Sequence, residues 1–232
     1  MILNVTSKTF GGPLRMGDIV ACANVVAHFR LVENNNDIKF YLETGVVSSS
    51  TYVSKFYQWM IANTDYFSSS PGTEHLPWQR VNLWDYRDIS GDLVTIPNTK
   101  SRQHRVVVNP LLAADYNYYR IWPTTVFEQV IAWVENTYPD HELVLISECP
   151  IARDGWRNCT ELVLALDEIM TAEIYIGGDT GLSHFVGALQ SGPEPIYYYS
   201  SRGLIHTTPF FWHTKKKGIM KTYYLNFDNT QW

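Results

Sequence analysis

One rhythm, heard twice, limits what this chain can fold into: a short apolar run, a loop, a run with helical spacing, and another short apolar run. Met1–Val5 reads as a strand, Ile19–Leu31 as a helix and Ile38–Leu42 as the next strand. Ser49–Ile61 follows with Tyr52, Phe56 and Met60 on one helical stripe. The rhythm restarts with a strand at Arg105–Val108 and a helix over Pro123–Asn136, its proline in the first turn. A strand at Leu143–Ile146, a helix over Asn158–Met170, a strand at Ile174–Ile176, a helix to Leu189 and a strand at Pro195–Tyr199 complete it. Strands that alternate with helices in this way pair in parallel, with the helices on the faces of the sheet. The expected fold class is α/β: two small Rossmann-like domains, residues 1–103 and 104–232, with parallel sheets facing a cleft. Phe67–Lys100 is less regular, with short strands expected at Arg80–Trp84 and Leu93–Ile96, and the boundary falls near Pro97–Arg105.

With 232 residues the chain can bury a real core, and 45% hydrophobic against 18% charged residues marks it as globular. A net charge of −5 excludes a global basic field for nucleic acid. The end of the chain differs locally. Arg202, Lys215, Lys216, Lys217 and Lys221 stand there against Asp228 alone, among Phe210, Phe211, Trp212 and Tyr223. The lysine run reads as a solvated face or, functionally, as a contact for a polyanion whose bases stack on the aromatics. Cys22, Cys149 and Cys159 match no metal-site spacing, and their odd number argues against a disulfide framework. With no signal-peptide pattern and no membrane-length apolar run, a cytoplasmic protein is expected.

Three segments carry chemistry. In Ile174–Phe185 a strand ends at Gly177-Gly178, where the backbone can come close to a ligand. Asp179 or Thr180 can then cap the following helix, whose first N–H groups attract anions. His184, one turn further on, can add a donor. Arg120-Ile121-Trp122-Pro123 closes an aromatic loop after the strand ending at Val108-Asn109-Pro110, where a cation suits phosphate. Arg15-Met16-Gly17-Asp18 precedes the first helix; Asp18 can cap that helix or take a proton from a hydroxyl. Taken alone, the first segment favours a ligand site, the other two a surface arginine and a helix cap.

Together these segments resemble the heptosyltransferase-like glycosyltransferases, glycosyltransferase family 9, of GT-B architecture. The resemblance rests on Gly17-Asp18, on Arg120 two positions before Trp122-Pro123, and on Asp179-Thr180-Gly181-Leu182-Ser183-His184 before Gly187-Ala188-Leu189. It implies a sugar transferred from a nucleotide diphosphate to an acceptor hydroxyl, with inversion and without a metal or other cofactor; a UDP-linked donor is the expectation. Asp18 would be the general base. Arg120, Thr180, Gly181 and His184 would hold the phosphates, and Asp179 would orient the sugar. Arg15, Lys215, Lys216 and Lys217 are candidate contacts to the acceptor or another polyanion. The chain departs from the family in its short first half, and in Ser200-Ser201, where the family tends to have Gly. The acceptor is therefore open between a hydroxymethylated base in DNA, as in bacteriophage DNA modification, and a saccharide or lipopolysaccharide core. Two other classes fit the same fold: a non-catalytic binder of nucleotides or nucleotide-sugars, and a sugar-nucleotide epimerase or hydrolase.

Overall fold

The computed structural model describes residues 1–6, 9, 12–76, 95–110, 122–178 and 180–200, together with the backbone of 221–225 and without the side chains of 197–200. The chain divides into two compact units, Met1–Pro97 with Ala188–Gln190, and Asn98–Gly187 with Ser191–Trp232.

In the first unit, β1 (Ile2–Val5) leads through a loop into helix α1 (Met16–Val32), followed by β2 (Lys39–Leu42), α2 (Thr51–Asn63) and β3 (Glu74–His75). The strands are parallel in the order β2-β1-β3. Residues Ile19 to Val26 of α1 are all buried. A helix apolar on every side must be covered on every side, so α1 forms at the heart of this unit. Arg30 ties its last turn down, donating from Nε to the Ile38 carbonyl at 2.8 Å and from a terminal nitrogen to both Asp65 oxygens at 3.2 Å. Asn4, buried in the middle of β1, would leave its amide unsatisfied but for Gly72: Nδ2 donates to the Gly72 carbonyl at 2.9 Å and Oδ1 accepts the Gly72 N–H at 2.8 Å. A Cβ at Gly72 would lie 2.0 Å from the Ile2 carbonyl oxygen, so only glycine fits this close backbone approach.

The second unit runs β4 (Arg105–Asn109), α3 (Thr124–Thr137), β5 (Glu142–Ile146), β6 (Trp156–Cys159), α4 (Leu162–Thr171), β7 (Ile174–Gly177), α5 (Gly181–Ala188), β8 (Glu194–Ser200) and β9 (Lys221–Leu225). All six strands are parallel, in the order β6-β5-β4-β7-β8-β9. The chain builds outward from β4 to β6, returns to the centre at β7, and builds outward again to β9. That return makes a topological switch point between β4 and β7, and ligands of open α/β sheets bind outside the carboxyl ends of such a pair. Trp122, Phe127, Val130, Ile131 and Val134 pack on Val106, Val108, Leu145, Ile174 and Ile176 as one core. Burial of each such side chain is worth about 1.5–3 kcal/mol.

Several sequence expectations need correction here. Residues 158–161 are not helical: Trp156–Cys159 is a strand, and the helix begins at Leu162. The strand was hidden because Arg157 faces outward, pairing with Glu142 at 2.7 Å and Glu168 at 2.8 Å, which breaks the apolar run. Thr95 lies outside any strand and Ile96 makes only an isolated bridge, to Leu189; Arg80–Trp84, Leu93 and Val94 lie outside the described residues. The boundary stretch expected near Pro97–Arg105 ends at the exposed His104. Arg105 opens β4, and its guanidinium, 11% exposed, pairs with Glu142 and Glu168, both at 2.6 Å.

This ion-pair lattice predicts acid lability. Arg153 holds the Glu135 carboxyl below its ordinary value of 4.5, chiefly by hydrogen bonding, with help from the Trp156 indole N–H. Burial pushes Glu142 upward, but its bonds to Arg105 and Arg157 outweigh that and lower it. A carboxylate with a depressed folded-state pKa adds stability that is complete above its unfolded pKa and lost as pH falls through the folded one. Urea midpoints should therefore hold near neutrality and decline below about pH 4.5. Arg153→Met should flatten part of that decline. Each pair is partly exposed, so the individual effects are small. A profile unchanged by Arg153→Met would refute the assignment.

Candidate functional site

The carboxyl ends of β4 and β7 meet in register, Asn109 opposite Gly177. Asn109 is buried and uses its amide on three sides. Nδ2 donates to the Ile146 carbonyl at the end of β5 at 3.1 Å. Oδ1 accepts the Tyr175 hydroxyl at 3.2 Å and the Thr180 hydroxyl at 2.9 Å. Ser183 closes the network. Its Oγ lies 2.8 Å from the Tyr175 hydroxyl and 3.2 Å from Thr180 Oγ1, and it donates to the Gly178 carbonyl at 2.7 Å. Burial raises the Tyr175 pKa, against the lowering effect of its Ser183 and Thr180 hydrogen bonds, and so keeps the phenol neutral. The result is a rigid polar floor beneath the turn that joins β7 to α5.

Thr180 is the residue that caps α5: its Oγ1 accepts the Ser183 backbone N–H at 3.3 Å, and its carbonyl accepts the His184 N–H at 3.3 Å. Its hydroxyl is thus turned toward the floor. The first N–H groups of an α-helix have no acceptor within the helix and favour an anion, and Gly181 begins this one. His184 lies in the same first turn with only 6% of its surface exposed. The glycine at the end of the strand has a reason the sequence does not display. A Cβ at Gly177 would lie 2.5 Å from the Tyr175 hydroxyl, so Gly177 makes room for a side chain of its own strand.

In the first unit, Asp18 is partly buried in the first turn of α1, and its Oδ2 accepts the Arg15 backbone N–H at 3.0 Å. The helix-cap reading of Asp18 is therefore realised, and its negative charge suits a helix N-terminus. Arg15 is exposed. Four residues on, burial and, second, the Asp18 charge both raise the Cys22 pKa, leaving that thiol inert. A cavity of about 250 Å³ opens beyond the carboxyl end of β2, lined by Tyr41, Glu43, Thr44, Ser54, Tyr57 and Gln58 among others. Burial pushes the Tyr57 phenol up to about 12, and its oxygen accepts the Leu42 N–H at 3.2 Å.

Of the residues singled out from sequence, the fold brings Thr180, Gly181 and His184 together at the start of α5 and sets Asp18 and Arg15 at the start of α1. Asp179, Arg120 and Lys215–Lys217 lie outside the described residues. Trp122, neighbour of Arg120, is a core residue, 2% exposed. Glu148, exposed, follows the end of β5 on the same rim as Asn109, whereas Asp154 stands just ahead of the amino end of β6. Sequence reading missed Asn109, Tyr175 and Ser183. The available signal was a lone amide closing the apolar run Val106–Val108, and the two-residue step from Tyr175 to Gly177 that puts both on one face of a strand.

No protein-family model and no curated protein matches the sequence. Solved structures do match. One, described as E. coli heptosyltransferase WaaC with ADP-2-deoxy-2-fluoro heptose, is 11% identical over 96% of this chain and 93% of its own, with a TM-score of 0.48. The same enzyme with ADP is 12% identical over 97% and 93%, with a TM-score of 0.49. A glycosyl transferase of family 9 from Veillonella parvula DSM 2008 is 9% identical over 97% and 86%, with a TM-score of 0.52. The chain shares with the last of these its GT-B-like α/β fold of two parallel sheets. No described helix is long and apolar enough to cross a membrane.

Proposed function

We propose that this protein is a glycosyltransferase that takes a sugar from a nucleotide diphosphate and passes it to an acceptor hydroxyl. The observation that carries the reading is the polar floor at the β4–β7 switch point, which fixes a glycine-bearing turn and a helix start where nucleotide phosphates bind in such sheets. The fold shared with a family 9 glycosyl transferase supports it. In this reading the N–H groups at the start of α5, with His184 and Arg120, hold the diphosphate, and Asp179 orients the sugar. Glu148, which follows the end of β5, would meet the ribose.

In this reading the reaction is a direct displacement. The acceptor oxygen attacks the anomeric carbon from the face opposite the phosphate and inverts it. The carbon–oxygen bond to the β-phosphate breaks, and its electron pair leaves with the nucleoside diphosphate. Asp18 takes the acceptor's proton. Preorganised donors aimed at the leaving phosphate stabilise the charge as it develops, so the proposal needs no metal. The acceptor is a modified base in DNA or a saccharide.

The test is a thermal-shift screen of UDP-, GDP-, ADP- and CMP-sugars with EDTA present. A donor at about 100 times its dissociation constant should add about 2.7 kcal/mol of stability. That shift should disappear in Arg120→Ala, and Asp18→Asn should keep the shift while losing turnover. No shift with any donor would sink the reading. One observation favours a second reading: Asp18 already serves as a helix cap, which is all that a non-catalytic nucleotide-sugar binder needs of it. Unchanged turnover in Asp18→Asn would remove the base assignment, and donor binding without turnover in the wild type would favour the binder.

A further inference from the structure

We propose that His104, His141 and Glu173 form a binding site for a divalent transition-metal ion of the zinc type, at the rim of the second unit's sheet opposite the switch-point crevice. The inference does not depend on the transferase reading. The three residues lie far apart in sequence, yet each immediately precedes a central strand: β4, β5 and β7. Parallel pairing of β4 with β5 on one side and β7 on the other sets them side by side. The backbone enforces the alignment, since the Glu142 N–H donates to the His104 carbonyl and the Glu173 N–H to the Arg105 carbonyl, each at 3.0 Å.

The side chains converge. His104 Nδ1 lies 3.1 Å and His141 Nε2 3.4 Å from the same carboxylate oxygen, Glu173 Oε2. One ligand atom from each of the three residues lies within 4.8 Å of the others. The imidazole rings lie almost one over the other, with centroids 3.5 Å apart and planes tilted by 30°. Zinc bonds of about 2.0–2.1 Å in tetrahedral geometry set neighbouring ligands about 3.3 Å apart, close to the two separations found here. Two imidazoles and one carboxylate suit zinc, nickel or copper, whereas calcium and magnesium prefer all-oxygen shells. His141 is 11% exposed and anchored, but His104 at 60% and Glu173 at 45% are open to solvent. An ion can therefore enter and keep water in its fourth position. Bound there, it would cross-link the amino ends of the three strands whose carboxyl ends, or the turn after them, meet in the Asn109 floor.

Cobalt(II) is the probe, titrated into the metal-free 232-residue chain, with zinc chloride as competitor and calorimetry for stoichiometry. The expected result is one ion per chain, a visible d–d absorption band and its loss on adding zinc. Loss of an outer-shell partner alone costs about 10–100-fold in metal affinity. His104→Ala and Glu173→Gln, which remove a ligand itself, should each weaken binding by about 100-fold or more. Both positions are exposed enough that the variants should fold; a circular-dichroism melt checks this. Absence of stoichiometric binding overturns the proposal. So does a signal that survives in both folded variants, or a near-ultraviolet thiolate band that puts the ion on exposed Cys149.

Discussion

Asn109→Ala should cost about 3 kcal/mol of stability and abolish the nucleotide-sugar thermal shift. The substitution takes away the acceptor for two hydroxyls, on Tyr175 and Thr180, and the donor to the Ile146 carbonyl. A buried polar group left without its partner costs about 1–3 kcal/mol, and Tyr175 is fully buried with no route to water. Asn109→Asp is the sharper control. It keeps oxygens for both hydroxyls but sets a carboxylate oxygen against the Ile146 carbonyl, so it should not restore wild-type stability. Thr180→Ala removes only one helix cap and one member of the network, and should cost about 1 kcal/mol. Urea denaturation of the three variants gives the order. If Asn109→Ala proved no worse than Thr180→Ala, the floor would not be centred on Asn109.

Gly177→Ala should be nearly as damaging, for a reason unrelated to any ligand. The added methyl would sit 2.5 Å from the Tyr175 hydroxyl and 2.7 Å from its Cε1 and Cζ. Overpacking a filled core costs about 1–3 kcal/mol, and a ring held by Asn109 and Ser183 has nowhere to retreat. Tyr175→Phe should rescue it poorly, because two of the three close atoms remain. Tyr175→Leu in the same background should relieve the clash, giving a favourable coupling in a double-mutant cycle. If Gly177→Ala left the urea midpoint unchanged but weakened donor binding, the glycine would be there for ligand approach after all.

The α/β class and most of the element order were legible from the residues. Apolar runs such as Val106–Val108 and Ile174–Ile176 are buried on both faces of a parallel sheet, and that need is written into the sequence itself. Thr180 as a cap of α5 and Asp18 as a cap of α1 were legible too, because helix starts use local chemistry, although α1 begins at Met16, ahead of the expected Ile19. Trp156–Cys159 was not, because a strand whose arginine is neutralised by Glu142 and Glu168 looks polar until those partners are in place.

Local sequence thus settled which segments are strands and helices wherever burial or capping acts over a few residues. The strand order β6-β5-β4-β7-β8-β9 came only with the tertiary structure, because pairing joins residues distant in sequence. That order alone brings Asn109 to Tyr175 and Thr180, and His104 and His141 to Glu173. Hydrogen bonds and ligand sets depend on distances of a few ångströms, and in this chain strand pairing, not sequence spacing, sets those distances.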